Sequence, residues 1–241
     1  MDSALLDSMY KHEHSDRLKV FSIDIETFTL GKKANEYTND KSYRLGNVKD
    51  PDKVKAALAK KKEEAARKHA LSWWTGKIVS VAVVDVYSNS GDEVCFAGHD
   101  EASVLKELAV YLNTPCKLVG KSSEMFDYGF LRGRYMANRL NIPRVLKQQN
   151  NLLDCDKFLA FSSQSSQRGT LADYAFGLGL EGKTMKGSDV AELYERIMMT
   201  ESVDKIAAAK LWDELIEYNL QDARIVAEMT RLYYGTEGGA Q

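Results

Sequence analysis

Asp24 and Glu26 stand two positions apart at the end of an apolar run, LKVFSIDIE, at residues 18–26. If that run is a strand, alternation puts both carboxylates on one face. Two acids pointing together repel, and burying them costs several kcal/mol unless a cation neutralises them. Hard divalent cations with oxygen ligands are the natural partners. A solvated strand end would show the same two residues without any such role. Asp127 opens a helical pattern in GKSSEMFDYGFL, just after a short apolar strand. It therefore lies at the carboxyl end of the sheet region, where it can be a ligand or simply a helix cap. Tyr218 and Asp222, in YNLQD, are four apart and share one helical face. That carboxylate can reach toward the strand bearing Asp24, and the phenol can hydrogen-bond something held by the cations. An ordinary amphipathic helix is the alternative for this pair.

The elements that must position these groups can be read along the chain. Residues 1–16 are polar and are expected to form a flexible N-terminal segment, in which His12 and His14 lack further ligand types nearby. Val20, Ile23 and Ile25 mark the first strand. Residues 29–49 read as a loop, and Asp50-Pro51 opens a helix rich in Ala, Lys and Glu. Lys53, Lys60, Lys61 and Lys62 in that helix form either a solvated face or a DNA-facing stripe. Residues 77–86, KIVSVAVVDV, give the strongest strand signal, and the turn at 89–92 returns the chain as a hairpin strand at 93–98. Asp100 caps a helix carrying Leu105, Leu108 and Leu112, residues 117–120 form a strand, and 126–140 a helix. Residues 151–154 suit a short strand and 162–169 a polar loop. LADYAFGL is a short helix, and helices run from about 189 to Tyr234. The expected fold class is α/β, a mixed five-stranded sheet flanked by helices. A helical insertion at about 29–75 separates strands one and two, within one domain over residues 17–236.

Composition narrows the function classes. The 241 residues carry a net charge of −2, with 44% apolar and 28% charged residues. A chain of this kind folds around an ordinary core, and no bulk positive field suggests a sequence-independent nucleic-acid coat. Cys95, Cys116 and Cys155 are odd in number and contain no CxxC, so they read as reduced thiols. No apolar run is long enough for a membrane span, and the N-terminus lacks the pattern of a signal peptide. The expected address is the cytoplasm, with no membrane partner.

Read jointly, FSIDIET, TGKIVSVAV, MFDYGFLRGR and YNLQDARIV occur in an order that resembles the DEDD superfamily of 3′–5′ exonucleases. The Y-x-x-x-D spacing is similar to its tyrosine subgroup; the histidine subgroup would need His at position 217, where this chain has Glu217. The likeness is closest to exonuclease domains of family B DNA polymerases and their free-standing phage-type relatives. It spans about residues 18–234 and includes GKTMKGSDVAELY at 182–194.

The resemblance implies a ribonuclease H-like fold and two divalent cations, Mg²⁺ or Mn²⁺, about 3.5–4 Å apart. It implies metal ligation by Asp24, Glu26, Asp127 and Asp222, with Tyr218 orienting the attacking water. The substrate implied is the 3′ end of single-stranded DNA, with nucleoside 5′-monophosphates released. Thr27, Phe28, Ser122 and Phe126 occupy positions implied to contact that strand, although Ser122 stands where the family often has a longer-reaching Asn. Phe28 and Phe126 also suit the core. Trp73 and Trp74 fit either base stacking or a core-and-rim pair, and Arg168 and Lys183 fit either phosphate contacts or solvated surface. A role in replication, proofreading or repair follows, with a separate polymerase or replication protein as partner, since the chain ends soon after Tyr234. An exoribonuclease, or an inactive nucleic-acid-binding module of the same fold, would also suit the resemblance.

Overall fold

The computed structural model describes residues 18–45, 47, 49–88, 91–159, 169–182, 185 and 187–235. The flexible segment expected at 1–16, with His12 and His14, and the expected contacts of Arg168 and Lys183 lie outside the described residues.

Five strands form one sheet: β1 (Lys19–Thr29), β2 (Gly76–Asp85), β3 (Glu93–Ala97), β4 (Cys116–Gly120) and β5 (Leu152–Asp154). Their order is β3-β2-β1-β4-β5. β2 runs antiparallel to both β1 and β3, whereas β4 is parallel to β1 and to β5. This is the expected mixed five-stranded α/β sheet. The longer helices are α1 (Lys32–Asp40), α2 (Pro51–Arg67), α3 (Glu101–Tyr111) and α4 (Asp127–Ala137). The short α5 (Arg144–Lys147) and α6 (Asp156–Leu159) follow, then α7 (Leu171–Leu178), α8 (Val190–Glu201) and α9 (Lys205–Tyr234).

Alternation along β1 builds two cores. Phe21, Ile23 and Ile25 face a cluster with Val104, Leu105 and Leu108 of α3 and Leu131 and Tyr135 of α4. Val20 faces the other side, among Leu220, Ala223 and Val226 of α9. Ser22 shares that face, and its Oγ donates to the carbonyl of Ala223 at 2.7 Å. Asp24 and Glu26 follow on the same face by the two-residue period. Helix α9 is 30 residues long, begins at the Asp204 cap and ends before Gly235.

One buried ion pair joins the layers on the opposite face. Glu101 accepts from Arg134 Nε at 2.8 Å and Nη2 at 2.6 Å, from Asn138 Nδ2 at 2.8 Å and from the backbone N–H of Ile78 at 2.7 Å. Arg134 Nη1 also donates to the carbonyl of Trp73 at 2.8 Å. Thus α3, α4, β2 and the end of the insertion meet at one charged node.

The segment between β1 and β2 corrects one expectation. Residues 29–49 are not simply a loop, because Lys32–Asp40 is helical. Its sequence is almost wholly polar, but Ala34 and Thr38, one turn apart, are buried. Thr38 Oγ1 hydrogen-bonds the ring of His69. Tertiary docking of this narrow face replaces the periodic apolar signal that a helix of ordinary width carries.

Candidate active site

The carboxylates of Asp24, Glu26 and Asp222 each place an oxygen within 4.8 Å of the others. Asp24 and Glu26 are half-buried, whereas Asp222 is 3% exposed. The antiparallel ladder slips between Glu26 and Thr27: Glu26 opposes Ser80, but Thr27 opposes Ile78. A bulge of this kind re-aims side chains at the end of a pair. It lets both Val79 and Ser80 face α9, where Val79 packs in the cluster holding Phe28 and Tyr218, and Ser80 Oγ donates to Asn219 Oδ1 at 3.0 Å.

Tyr218 lies against this group. It is buried, and its phenol donates to Asp222. Burial first, and then the charges of Glu26, Asp222 and Asp24, hold the phenol well above its ordinary range. At neutral pH it is therefore a hydrogen-bond donor and not a base. A Cβ placed on Gly187 would meet the Tyr218 hydroxyl at 3.8 Å, so the backbone at Gly187 passes beside that oxygen. The acidic field reaches β3 as well. Burial, with the charges of Asp24 and Glu26, pushes the Cys95 thiol up to about 12.

Asn219 orients the nearest acid. Its Nδ2 donates to Asp24 Oδ2 at 2.7 Å, while its Oδ1 accepts from Ser80 and contacts Cys95 Sγ at 3.7 Å. Asn219 is fully buried. The spacing of Tyr218 and Asp222 in YNLQD does not single it out. The available signal was a polar residue flanked by Tyr218 and Leu220 on the inward side of the helix.

Asp127, expected to act largely through a water or on a second metal, stands outside this 4.8 Å group of three. It is 4% exposed, and its Oδ2 accepts from the hydroxyl of Ser123. Burial raises its carboxyl to about 7, partly offset by the Ser123 hydrogen bond. The loop before it is fixed from β5. Asp154 accepts from the backbone N–H of Ser122 at 3.0 Å, Asp156 at 3.0 Å and Glu124 at 3.2 Å. Ser122 sits at φ 57°, and its Oγ donates to Asp156 at 2.8 Å. Its hydroxyl is thus committed to the loop's own bracing. Nothing in the spacing of Asp154 and Asp156 from Ser122 marks them in the sequence as part of this region.

The remaining expected contacts divide. Thr27 is half-buried at the bulge. Phe28 is 8% exposed and packs on Tyr194 with ring centroids 4.8 Å apart, so it belongs to the core. Phe126 is half-buried against Phe130, also as core. Glu217, where the histidine subgroup would have its imidazole, pairs with Arg224 at 2.5 Å, which also holds Glu93 at 2.6 Å. Trp73 and Trp74 meet edge to face, 37% and 47% exposed.

Three carboxylates with hard oxygen donors suit Mg²⁺ or Mn²⁺ and not a soft metal. They would also leave coordination positions for other oxygen ligands. Among the described residues, no helix is long and apolar enough to cross a membrane.

The arrangement is similar to known architecture. The family B DNA polymerase from the hyperthermophilic archaeon Pyrobaculum calidifontis aligns with 89% of this chain at a TM-score of 0.51 and 15% identity. The chain spans 24% of that polymerase's length, and the likeness is one of fold. No curated protein matches the sequence. The RNase_H_2 model of the RNase H superfamily matches residues 68–234, from the end of the insertion through α9. Strand β1 lies outside that span, but the matched part includes four of the five strands and the helix bearing Tyr218 and Asp222. With well over half its length matched and the mixed five-stranded sheet that the sequence implied, the chain belongs to the RNase H superfamily.

Proposed function

We propose that this protein is a metal-dependent 3′–5′ exonuclease of the DEDD type, tyrosine subgroup. It acts on single-stranded DNA and releases nucleoside 5′-monophosphates. The observation that carries this reading is the grouping of Asp24, Glu26 and Asp222 beneath the Tyr218 phenol. Asp24, Glu26 and Asp222 would hold divalent cations, which when bound neutralise charge on a phosphodiester and acidify water.

The chain's own groups have separable tasks. Asn219 holds the Asp24 carboxylate in one orientation. Tyr218, protonated at neutral pH, orients the attacking water by hydrogen bonding and does not remove its proton. Asp127 would contribute through water or after rotation from Ser123. The bulge at Glu26 and Thr27 sets the aim of the strand end that meets the substrate.

The test is a 5′-labelled DNA oligonucleotide incubated with Mg²⁺ or Mn²⁺, with an RNA strand in parallel. Stepwise shortening from the 3′ end is expected, abolished by EDTA and by Asp24→Ala or Asp222→Ala. Full activity in either variant, or binding without shortened products, would overturn the assignment.

A further inference from the structure

The sequence between β1 and β2 has a charge unlike the rest of the chain. Residues 30–75 contain twelve Lys and Arg against six Asp and Glu, a net charge of +6, whereas the remaining residues sum to −8. The overall −2 conceals this partition. On α2, Lys53 and Lys60 are seven positions apart on one face, with Lys61 beside them, and all three are exposed. They have no ion-pair partner among the described residues. Lys33, Lys55 and Lys68 add further exposed cations from the same segment.

Exposed aromatic rings accompany the charge. Tyr37 is 43% exposed, and Lys41 lies 5.6 Å from its ring centre. Trp73 is seated against α4, where a Cβ on Gly133 would come within 2.4 Å of its ring. Its neighbour Trp74 is left 47% exposed. Cations that follow a phosphate backbone, with rings on which bases stack, are the two components of single-strand recognition.

The segment also begins close to the acids along the chain. It leaves the sheet at the end of β1 that carries Glu26, and Lys32 is six residues further on. Six residues span at most about 20 Å even when extended. A strand ending at the carboxylates therefore needs little further length to reach the start of the basic segment at Lys32.

We infer that residues 30–75 form an electropositive arm that holds the phosphate backbone of a single-stranded polynucleotide upstream of its 3′ end. The identity of that ligand as substrate rests on the nuclease reading. The carboxylate group repels a polynucleotide until cations bind, so the arm supplies the attraction that the site itself lacks. Lys53, Lys60 and Lys61 contact phosphates, and Trp74 offers a stacking surface.

The test uses the full chain in EDTA, with fluorescence anisotropy of a labelled oligothymidylate at salt concentrations between about 50 and 200 mM. The Lys53→Gln, Lys60→Gln, Lys61→Gln triple variant should bind at least tenfold more weakly. Its slope of log K against log salt should fall by about 2, the value for three lost single-strand phosphate contacts. A comparison variant with Lys106, Lys205 and Lys210, all exposed outside the arm, changed to Gln carries the same charge loss and should bind like wild type. Circular dichroism checks that both are folded.

Wild-type-like binding by the first variant, or equal weakening by the second, would overturn the arm. So would polyglutamate displacing the oligonucleotide at equal charge concentration, which would assign the surface to an acidic protein. Binding is read without catalysis, so the two readings fail separately. A wild type that cleaves while the arm variant binds normally sinks only the arm. A wild type that binds through the arm and never cleaves sinks only the nuclease.

Discussion

The side-chain amide of Asn219 donates a 2.7 Å hydrogen bond to Oδ2 of Asp24, joining the longest helix to the central strand. Ser80 donates to the other end of the same amide, which fixes which way the amide is turned. Asn219→Ala removes both bonds from a buried setting and should destabilise the fold by about 1–3 kcal/mol. If the Asp24 orientation matters to turnover, kcat should fall more than KM changes. Denaturant titration and steady-state kinetics on the same preparation check both outcomes, and unchanged values in either would disconnect the amide from the site.

The three grouped carboxylates repel one another without cations. Two like charges 4 Å apart oppose each other by about 4 kcal/mol at an effective dielectric of 20. After solvent screening, Glu26→Gln should raise the metal-free stability by on the order of 1–2 kcal/mol. Mg²⁺ or Mn²⁺ should stabilise the wild type, by about 2.7 kcal/mol at a hundredfold excess over Kd, and the variant much less. Thermal melts with and without metal give the comparison. Equal stabilisation of both proteins would place cation binding elsewhere.

Arg134 and Glu101, each 7% exposed at the side chain, form the buried node on the far side of the sheet. Removing one partner leaves the other charged and unpaired. Arg134→Met should therefore cost about 3–5 kcal/mol. Glu101→Gln keeps an acceptor for the Ile78 N–H and should cost less. Chemical denaturation of both variants tests the order, and a neutral Arg134→Met would mean that the node is dispensable.

Burial lowers the pKa of His69 from its ordinary 6.5. Above that value the ring is neutral in both folded and unfolded chains and adds no pH dependence. As pH falls through 6.5, the unfolded chain takes up the proton first, so stability declines until the folded ring also titrates. His69→Gln should flatten the loss of stability between about pH 6.5 and 5 relative to wild type. Parallel pH profiles of unfolding free energy would show the difference; coincident slopes would refute it.

Much of the sheet was legible because its strands announce themselves. Val20, Ile23 and Ile25 in β1 and the apolar run of β2 carry β-branched residues at buried positions. The two-residue period alone places Asp24 and Glu26 together, and the helical period places Tyr218 above Asp222. Helix α1 was not legible because its docking depends on Ala34, Thr38 and a histidine 31 residues beyond Thr38. The direction of Asp127 was hidden for a similar reason. Sequence places it at a helix start but does not say that Ser123 will capture its carboxylate. The role of Asn219 is not legible in the sequence because its partners, Asp24 and Ser80, lie 195 and 139 positions away.

The backbone N–H of Leu30 donates to the carbonyl of Thr75 at 2.8 Å, so the chain leaves and re-enters the sheet through a single doorway. In topological terms everything between those residues is one oversized hairpin turn. Each doubling of such a turn adds only about 0.6 kcal/mol of closure entropy. Grafting a short turn there, or a different excursion, would leave the pairing of β1 with β2 in register. The ladder between β1 and β2 is therefore closed by its own hydrogen bonds at that doorway, and the excursion beyond it can change in length at little entropic cost.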